Sequence, residues 1–194
     1  MKKSLWCSTA LVVIALLQPT IALSAPQGGL TVGGSATIST SGSATTITQS
    51  SQRAIIDWRS FDVGAHESVT FSQPGRESIA VNRIHDSKAS RIDGMLSANG
   101  TVMLLNQNGV LFGNSSRVDV GGIVAAAAGL DNPDTFMAGA AARLSGSVAG
   151  AAIVNRGRIT TAPGGLAGFV APNVENTGVI TARLGRVQDR KSVV

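Results

Sequence analysis

The 194-residue chain is short of cysteine, of aromatic residues and of charge. Its single cysteine is Cys7, tyrosine is absent, and aromatic residues make up 4% and charged residues 14% of the sequence. Disulfide staples are therefore excluded from the chain beyond residue 7. A hydrophobic content of 43% with 23 glycines nevertheless lies on the globular side of the boundary with disorder. We expect one folded domain.

Metal ligands and clustered positive charge are also scarce. His66 and His85 are the only histidines, and neither has a partner at metal-ligand spacing, so a zinc site lacks donors. The net charge of +5 includes Lys2 and Lys3 near the N-terminus, and the arginines are scattered singly. Nucleic-acid binding requires a clustered basic surface. We expect neither a cofactor nor a nucleic-acid partner.

Motifs of catalysis are missing as well. The sequence has no Gly-x-Ser-x-Gly elbow, and its glycine pairs lack the lysine of a phosphate loop. Glycoside hydrolysis needs two opposed carboxylates on one face, but the acidic candidates are spread over several blocks. These candidates are Asp57, Asp62, Glu67 and Glu77. We predict that the domain is not an enzyme, and a β-helix carbohydrate-active enzyme remains an alternative.

The N-terminal segment has the pattern of a secretory leader. Lys2 and Lys3 precede an apolar run at residues 11–17, and the small-residue pattern Ala22-Leu23-Ser24 follows. The run is too short for a membrane helix, which needs about 20 apolar residues. We assign residues 1–24 to a signal peptide, prefer cleavage after Ser24 to cleavage after Ala25, and expect export.

The rest of the sequence consists of short β-branched or apolar runs separated by glycine, asparagine and serine. Residues 68–72 and 117–120 alternate polar and apolar side chains, and residues 79–81 and 101–105 are denser apolar runs. Both patterns are typical of strands. A short helix competes only at residues 123–129, which contain four consecutive alanines. The fold class predicted is all-β.

An internal repeat indicates how the strands are arranged. Residues 155–160, Asn-Arg-Gly-Arg-Ile-Thr, return as residues 176–181, Asn-Thr-Gly-Val-Ile-Thr, so the offset from position 155 to position 176 is 21 residues. A period of about 20 residues is typical of a solenoid in which each period forms one coil. The alternative is an antiparallel sandwich, in which Asn99-Gly100 would form a hairpin turn. The repeat favours the parallel β-helix.

Several ordered blocks carry a resemblance to a known family. They include residues 54–64 (Ala-Ile-Ile-Asp-Trp-Arg-Ser-Phe-Asp-Val-Gly), 69–74, 80–84, 90–102 and 105–113 (Leu-Asn-Gln-Asn-Gly-Val-Leu-Phe-Gly). Together they resemble the N-terminal two-partner secretion domain of filamentous haemagglutinin-like adhesins, also called the haemagglutination activity domain. The last block is similar to the family's Asn-Pro-Asn-Gly-Ile motif, with Gln107 in place of proline. Because proline would fix φ at this position, the backbone of the turn is less restrained with glutamine. The likeness covers roughly residues 28–187.

The resemblance implies a right-handed parallel β-helix with an N-terminal cap, spanning residues 25–188. It further implies that this is the secretion-targeting domain of a large exported adhesin, recognised by an outer-membrane transporter with periplasmic domains. The protein would reach the cell surface or the medium through the periplasm as a monomer, and would contact a host cell surface or glycan through a downstream region. An autotransporter passenger is the remaining alternative.

The resemblance also points to residues for transporter recognition or for the cap. We expect Trp58 and Phe61 to pack in the core or cap in preference to contacting a partner. Asn82 and Arg83 are expected to form a buried polar pair that satisfies backbone groups. The asparagines of the 105–113 block could form a ladder of stacked side chains at a corner of the coil or be recognised by the transporter, and the sequence does not decide between these two roles. The full set is Asn106, Asn108, Gly109, Asn82, Arg83, Trp58, Phe61 and Gln73.

Residues 189–194, Asp-Arg-Lys-Ser-Val-Val, depart from the family pattern. They match one reading frame of a common sequencing adapter. We interpret them as a non-native tail and the domain as truncated at its C-terminal end.

Overall fold

Residues 24–191 are described by a computed structural model, and their backbone winds into a parallel β-helix of about seven turns. The all-β prediction and the stacked parallel arrangement are confirmed. The predicted signal peptide lies outside the described residues apart from Ser24, as do residues 192–194 of the predicted tail. No helix within residues 24–191 has the length and apolar character needed to cross a membrane.

The elements follow one another in a regular order of short strands. They are β1 (Leu30–Gly33), β2 (Ala36–Ser41), β3 (Ala44–Gln49), β4 (Arg53–Trp58), β5 (Ser68–Ser72), β6 (Ile79–Ile84), β7 (Ser90–Ile92), β8 (Met95–Ala98), β9 (Thr101–Asn106), β10 (Gly109–Phe112), β11 (Arg117–Val120), β12 (Gly122–Ala126), β13 (Gly129–Leu130), α1 (Pro133–Met137), β14 (Leu144–Ser145), β15 (Ala152–Asn155), β16 (Arg158–Thr161), β17 (Leu166–Ala171), β18 (Asn173–Asn176), β19 (Val179–Ala182) and β20 (Arg186–Lys191).

The coil has three faces, each formed by one sheet. Sheet A has the order β1-β4-β6-β9-β12-β17-β20, sheet B the order β18-β15-β10-β7, and sheet C the order β19-β16-β11-β8-β5-β3-β2. Apart from the pairings of β1 and β2, neighbouring strands in these sheets are parallel. From β3 onward, apart from β13 and β14, which pair with each other in a separate two-stranded sheet, consecutive strands lie on different faces, so the antiparallel sandwich is wrong.

The internal repeat marks one coil. Asn155 of β15 pairs with Asn176 of β18, and Ile159 of β16 pairs with Ile180 of β19. The alanine-rich run that could have formed a helix is not helical: residues 123–126 belong to β12, and Ala127 and Ala128 form a bend before β13. Asn99-Gly100 turns the chain from β8 in sheet C to β9 in sheet A, so it is a coil corner and not a hairpin turn.

The N-terminal cap consists of β1 and β2. Strand β1 pairs antiparallel with β4, and β2 pairs antiparallel with β3 along six residue pairs. Both strands cover the free edge of the first coil. An uncovered edge would be a template for another chain, so the cap limits pairing at this end.

The interior is a continuous column of apolar side chains. In sheet C the burial alternates along β3, β5, β11 and β16, as in the pattern exposed, buried, exposed, buried of β11. In sheet A the strand β9 is buried on both faces. Burial alternates in sheet C because successive side chains of a strand point to opposite faces. Strand β9 is buried on both faces because another segment packs on the outer face of sheet A.

That segment is residues 127–151, which leave the coil between β12 and β15 and contain β13, α1 and β14; we call it the flap. Its Leu130 and Phe136 pack with Val81, Met103 and Leu105 in a second apolar cluster on the outer face of sheet A. Because this cluster joins the flap to β6 and β9, the flap braces several coils at once.

The last described residues lie along sheet A. Strand β20 pairs with β17 from Leu166↔Arg186 to Ala171↔Lys191. The backbone of residues 189–191 therefore continues the last strand. The assignment of residues 189–194 to a non-native tail stays a prediction.

Candidate functional site

The eight residues predicted for recognition or for the cap lie in three places. Trp58, Phe61, Asn82 and Arg83 lie near the cap, on β4, on β6 and in the segment after β4. Gln73 lies at the corner between sheets C and A. The last three, Asn106, Asn108 and Gly109, form the corner between sheets A and B.

Trp58 joins the cap to the first coil. Its side chain is 1% exposed, and its ring meets the ring of Phe61 edge to face, with centroids 5.2 Å apart and planes at 82°. Gly29 lies flush against the indole, because a Cβ at this position would be 2.5 Å from a Trp58 ring carbon. Only glycine allows this approach, so the cap is fitted to the tryptophan.

Asn82 is fully buried, and its amide is satisfied on both sides. Its Oδ1 accepts the indole N–H of Trp58 at 2.9 Å, and its Nδ2 donates to the carbonyls of Ala80 at 3.4 Å and Met103 at 3.2 Å. The Met103 carbonyl belongs to the next coil. Asn82 therefore links the tryptophan to two coils, as expected for a buried polar side chain.

The prediction that Arg83 shares this buried site is wrong. Consecutive residues of a strand point to opposite faces, so Arg83 turns away from the interior when Asn82 turns inward. Its guanidinium donates to both carboxylate oxygens of Asp57, at 2.6 and 2.8 Å, with both side chains 26% exposed. The pair ties β6 to β4 on the outer face.

The charge on Asp57 is stabilised by its neighbours Arg83 and His85. Partial burial alone would raise the pKa of Asp57. Hydrogen bonding and the charge of Arg83 outweigh burial, with smaller contributions from His85, whose Nε2 is 3.4 Å from the Asp57 carboxylate. The net result is a pKa below the ordinary value of this carboxyl group.

Gln73 belongs to a ladder of amide side chains at the corner between sheets C and A. Its backbone N–H donates to Asn99 Oδ1 at 2.8 Å, and Asn99 Nδ2 donates back to its carbonyl at 2.7 Å. Its Nε2 donates to Gln49 Oε1 at 3.1 Å, and its Oε1 accepts the Gly100 N–H at 3.0 Å. The sequence pattern did not predict Gln49 or the ladder role of Asn99, although Gln49 is the last residue of β3 and Asn99 directly follows β8.

Asn106 and Asn108 close the corner between sheets A and B. Asn106 Oδ1 accepts the Asn108 backbone N–H at 2.9 Å, and its Nδ2 donates to the Lys88 carbonyl at 2.9 Å and to Ser90 Oγ at 3.1 Å. Asn108 Nδ2 donates to the Asp86 carbonyl at 2.8 Å. The asparagines therefore hold the turn and the loop of the preceding coil together.

Gly109 completes this corner. Its φ is +105°, and a Cβ there would be 2.2 Å from the Ala152 carbonyl oxygen of the next coil. Both the backbone conformation and the close approach require glycine. Gln107 is exposed, and the side chain of Asn106 supplies the restraint that proline would give in the family motif.

Burial divides the predicted residues into two groups. Arg83 and Asn108 are partly exposed. The others are buried in the closed coil: Trp58, Phe61, Gln73, Asn82, Asn106 and Gly109. A partner of the folded domain has no access to the second group.

The structure also places the candidate metal ligands and three of the four acidic candidates. Within residues 24–191, no group of three or more histidine, cysteine or acidic residues is placed to hold a metal. Asp57 is paired with Arg83, Glu67 is buried against backbone N–H groups, and the Glu77 side chain is 89% exposed.

Comparison with known proteins identifies the family. The model of the TPS secretion domain family matches residues 22–190. The crystal structure of the HMW1 secretion domain from Haemophilus influenzae superimposes with a TM-score of 0.75 at 29% sequence identity, covering 86% of this chain and 45% of that chain. Two-partner secretion domains of this kind engage an outer-membrane transporter, and their proteins are exported through the periplasm to the cell surface or the medium.

Curated relatives agree with this match. The heme/hemopexin-binding protein of Haemophilus influenzae strain Rd is 44% identical over 100 residues, which is 52% of this chain and 11% of that protein. A second Haemophilus influenzae protein of the same name is 44% identical over 101 residues, with the same coverage. The chain thus spans about a tenth of the length of these relatives, and it belongs to the TPS secretion domain family.

Proposed function

We propose that this domain is the export address of its protein and that the outer-membrane transporter reads it while the chain is still extended. The carrying observation is the burial of six of the eight motif residues in the closed coil. A transporter can contact side chains such as Asn106 only before the neighbouring coils close over them. Recognition therefore precedes folding.

Extended segments of the domain offer a simple mode of recognition. In β-augmentation an extended peptide adds a strand to the edge of a partner sheet, with backbone hydrogen bonds for affinity and alternate side chains for specificity. Strands β4, β6 and β9 are each six residues long and carry the motif residues Trp58, Asn82 and Asn106. We propose that the transporter's periplasmic domains bind segments of this kind.

Folding then starts from the capped end and proceeds coil by coil. The cap covers the first coil, whereas the last coil presents strands that can template further β-structure. Apolar side chains are also exposed at that end, among them Val179 at 48% and Val187 at 57%. Growth in one direction at the cell surface would oppose sliding of the chain back through the transporter.

The domain acts in this proposal as a monomer and without catalysis. The carboxylates Asp57 and Glu67 already serve structural contacts, which supports a non-enzymatic role. Binding to a host cell surface or glycan is assigned to other regions of the exported protein.

We also propose that residues 189–194 are encoded by adapter DNA. Sequencing the locus tests this, and a genuine stop codon after Val194 without adapter-like DNA would refute it.

Two asparagines allow the effect of a substitution on recognition by the transporter to be separated from its effect on the stability of the domain. Asn106 and Asn155 are both fully buried at strand ends, and each Oδ1 accepts the backbone N–H two residues ahead. Only Asn106 belongs to the family motif. Asn106→Ala and Asn155→Ala should destabilise the coil similarly, by about 1–3 kcal/mol, because each leaves a buried N–H unpaired.

Export through the cognate transporter should distinguish the two variants. We expect Asn106→Ala to reduce the exported amount much more than Asn155→Ala does, with urea unfolding of the purified proteins as the measure of stability. Binding of the transporter's periplasmic domains should be stronger to urea-unfolded protein than to folded protein. Equal export of the two variants, or preferential binding of the folded form, would contradict the proposal.

A further inference from the structure

Glu67 is a buried carboxylate at the capped end, and its partners are backbone N–H groups. The residue is 7% exposed, its Oε1 accepts the Ser24 N–H at 2.7 Å, and its Oε2 accepts the Gly64 N–H at 2.7 Å. Among the ion pairs of the described residues, none includes Glu67. Two neutral N–H groups repay only part of the hydration that a buried carboxylate loses, so a cation beside Glu67 would be favourable.

The neighbours of Glu67 add negative charge. Burial raises the pKa of Asp62; a hydrogen bond from the Arg91 backbone opposes this, and the charges of Asp86 and Glu67 raise it further. The guanidinium of Arg91 is itself hydrogen-bonded to Asp93. The carboxylates of Asp62, Asp86 and Glu67 therefore repel one another, the charge of Arg91 opposes this at Asp62, and a further cation beside Glu67 would reduce the repulsion.

Residues 24–27 lie against the first coil beside the Glu67 carboxylate. Ala25 and Pro26 are buried, and Gln27 donates its backbone N–H to the Ser60 carbonyl at 2.9 Å. The Gln27 side chain also donates to the Ala25 carbonyl at 2.9 Å. These contacts fix the segment that follows the predicted cleavage site against the first coil.

We propose that Glu67 is the receptor for the α-ammonium group that leader removal creates at Ala25. The proposal rests on the leader assigned to residues 1–24. A leader peptidase hydrolyses the Ser24–Ala25 peptide bond with one water molecule, leaving a carboxylate on Ser24 and an amine on Ala25 that is mostly protonated at neutral pH. The Ala25 nitrogen is one residue along the chain from the Ser24 nitrogen that donates to Oε1, consecutive Cα atoms being about 3.8 Å apart, and as an ammonium it has three donors.

The ion pair would couple leader removal to closure of the first coil. In the unprocessed chain Glu67 has one neutral N–H at Oε1, whereas in the processed chain it has a cation there. A charge-assisted hydrogen bond is stronger than the neutral one that it replaces. The capped end of the domain therefore becomes more stable when the leader is removed.

Amine labelling of the exported protein tests the contact directly. Beyond the leader the sequence has only two lysines, Lys88 and Lys191, so mass spectrometry can resolve the α-amine from the side-chain amines, with exposed Lys88 as reference. With an N-hydroxysuccinimide acetate near pH 7, we expect Glu67→Gln to speed acetylation of the α-amine about tenfold, as loss of one pKa unit of stabilisation would. Glu77→Gln, at an exposed position, should leave it unchanged.

Thermal unfolding gives an independent measure. Glu67→Gln should lower the Tm of the processed chain by about 5 °C. It should lower the Tm by less in a leader-bearing chain in which replacement of Ala22 and Ser24 blocks cleavage, because only a neutral hydrogen bond is lost there. Equal labelling rates with and without Glu67, or equal Tm shifts in the two chain forms, would overturn the proposal. So would an exported chain whose mass shows that it starts beyond Ala25. Export yield, recorded separately, reports on the export address and not on this contact.

Discussion

At the scale of single residues, buried amide side chains fix one coil against the next. Asn82 joins β6 to the Met103 carbonyl of the following coil, and Asn155 Nδ2 donates to Asn176 Oδ1 at 2.8 Å one coil further. Backbone strands alone could slip by two residues and keep their inward faces. A buried amide whose partners are fixed in space penalises such a slip, so these residues set the register.

Trp58→Phe tests the contribution of one such contact. The substitution keeps an aromatic ring beside Phe61 but removes the indole N–H, leaving Asn82 Oδ1 buried without a donor. We expect the free energy of unfolding to fall by about 1–3 kcal/mol, measured by urea denaturation. An unchanged free energy of unfolding would show that the hydrogen bond does not hold the cap.

Asp57 makes a predictable contribution to acid stability. Its folded pKa lies below the value of 3.8 expected without partners, so its ion pair with Arg83 stabilises the fold above that pH. This stabilisation is lost as the pH falls through the folded pKa. Asp57→Asn should therefore lower the Tm at neutral pH and reduce the loss of Tm between pH 4 and pH 3, both by amounts that we expect to be small.

Asp62→Asn is the matched control, because its sign is opposite. Burial is the largest cause of the raised pKa of Asp62, so its charged form is disfavoured in the folded state above pH 3.8. Replacing Asp62 should leave the Tm at neutral pH unchanged or higher. Identical pH profiles for the two variants would contradict the assignment of these carboxylates.

At the scale of elements, stacked glycines let the coils turn tightly between sheets C and A. A Cβ on Gly121 would be 2.6 Å from the Gly100 carbonyl oxygen, and a Cβ on Gly165 would be 2.1 Å from the Gly121 carbonyl oxygen. Each glycine thus lies directly against the backbone of the preceding coil. The corner has no room for a side chain, because coils stack at the strand spacing of about 4.8 Å.

Gly121→Ala should destabilise the domain through this contact. The added methyl group meets backbone and not a flexible side chain, so the coils must shift, and we expect a loss of about 1–3 kcal/mol in urea unfolding. Gly75→Ala is the control, since a Cβ at Gly75 has no heavy atom within 4 Å. Equal stabilities of the two variants would show that the corner can relax.

The flap is the element that joins distant coils. Arg53 of β4 donates to the carbonyls of Phe136, of Gly139 at 2.9 Å and of Ala140 at 2.6 Å, and its guanidinium lies 4.7 Å from the Phe136 ring centroid. Arg53 thus fastens residues more than eighty positions away to the first coil. Both hydrogen bonding and cation–π contact contribute to this attachment.

Arg53→Ala should loosen the flap without unfolding the coil. We expect faster hydrogen exchange of amides in residues 127–151, with protection of β6 and β9 retained, because local opening needs less free energy than global unfolding. Arg143→Ala, on an exposed residue of the flap, should have no such effect. Uniformly faster exchange along the whole chain would instead mean that the flap and the coil unfold together.

The elements also show which features could be predicted from sequence. The clean repeat at residues 155 and 176 lies where successive coils are 21 residues apart. Elsewhere the spacing varies. Asp57 and its partner Arg83 are 26 residues apart. Ala126 pairs with Val170, which is 170 − 126 = 44 residues later, because the flap intervenes between their strands. Irregular spacing hides the other repeats. The pairing of Trp58 with Asn82 and the outward turn of Arg83 depend on which coils adjoin, so they required the structure.

At the scale of the whole molecule, the domain grows in one dimension from a closed end to an open one. Each coil contacts mainly the coil before it and the coil after it, apart from the flap, which reaches back to the first coil. Such folds can propagate from a formed nucleus. The cap and the first coils, with Trp58 and Phe61, are that nucleus in our account.

If the transporter accepts this domain only as an extended chain, a disulfide bond between neighbouring coils should block export, and reducing that bond should restore it. Thr70 of β5 and Ser97 of β8 are parallel neighbours with hydroxyl oxygens 3.0 Å apart, so cysteines at both positions have suitable geometry for a disulfide. No other cysteine follows Cys7. With Thr70→Cys and Ser97→Cys combined, we expect export to fall to background under oxidising conditions and to recover with reductant, whereas each single variant is exported normally. Efficient export of the double variant with its disulfide intact would contradict the account.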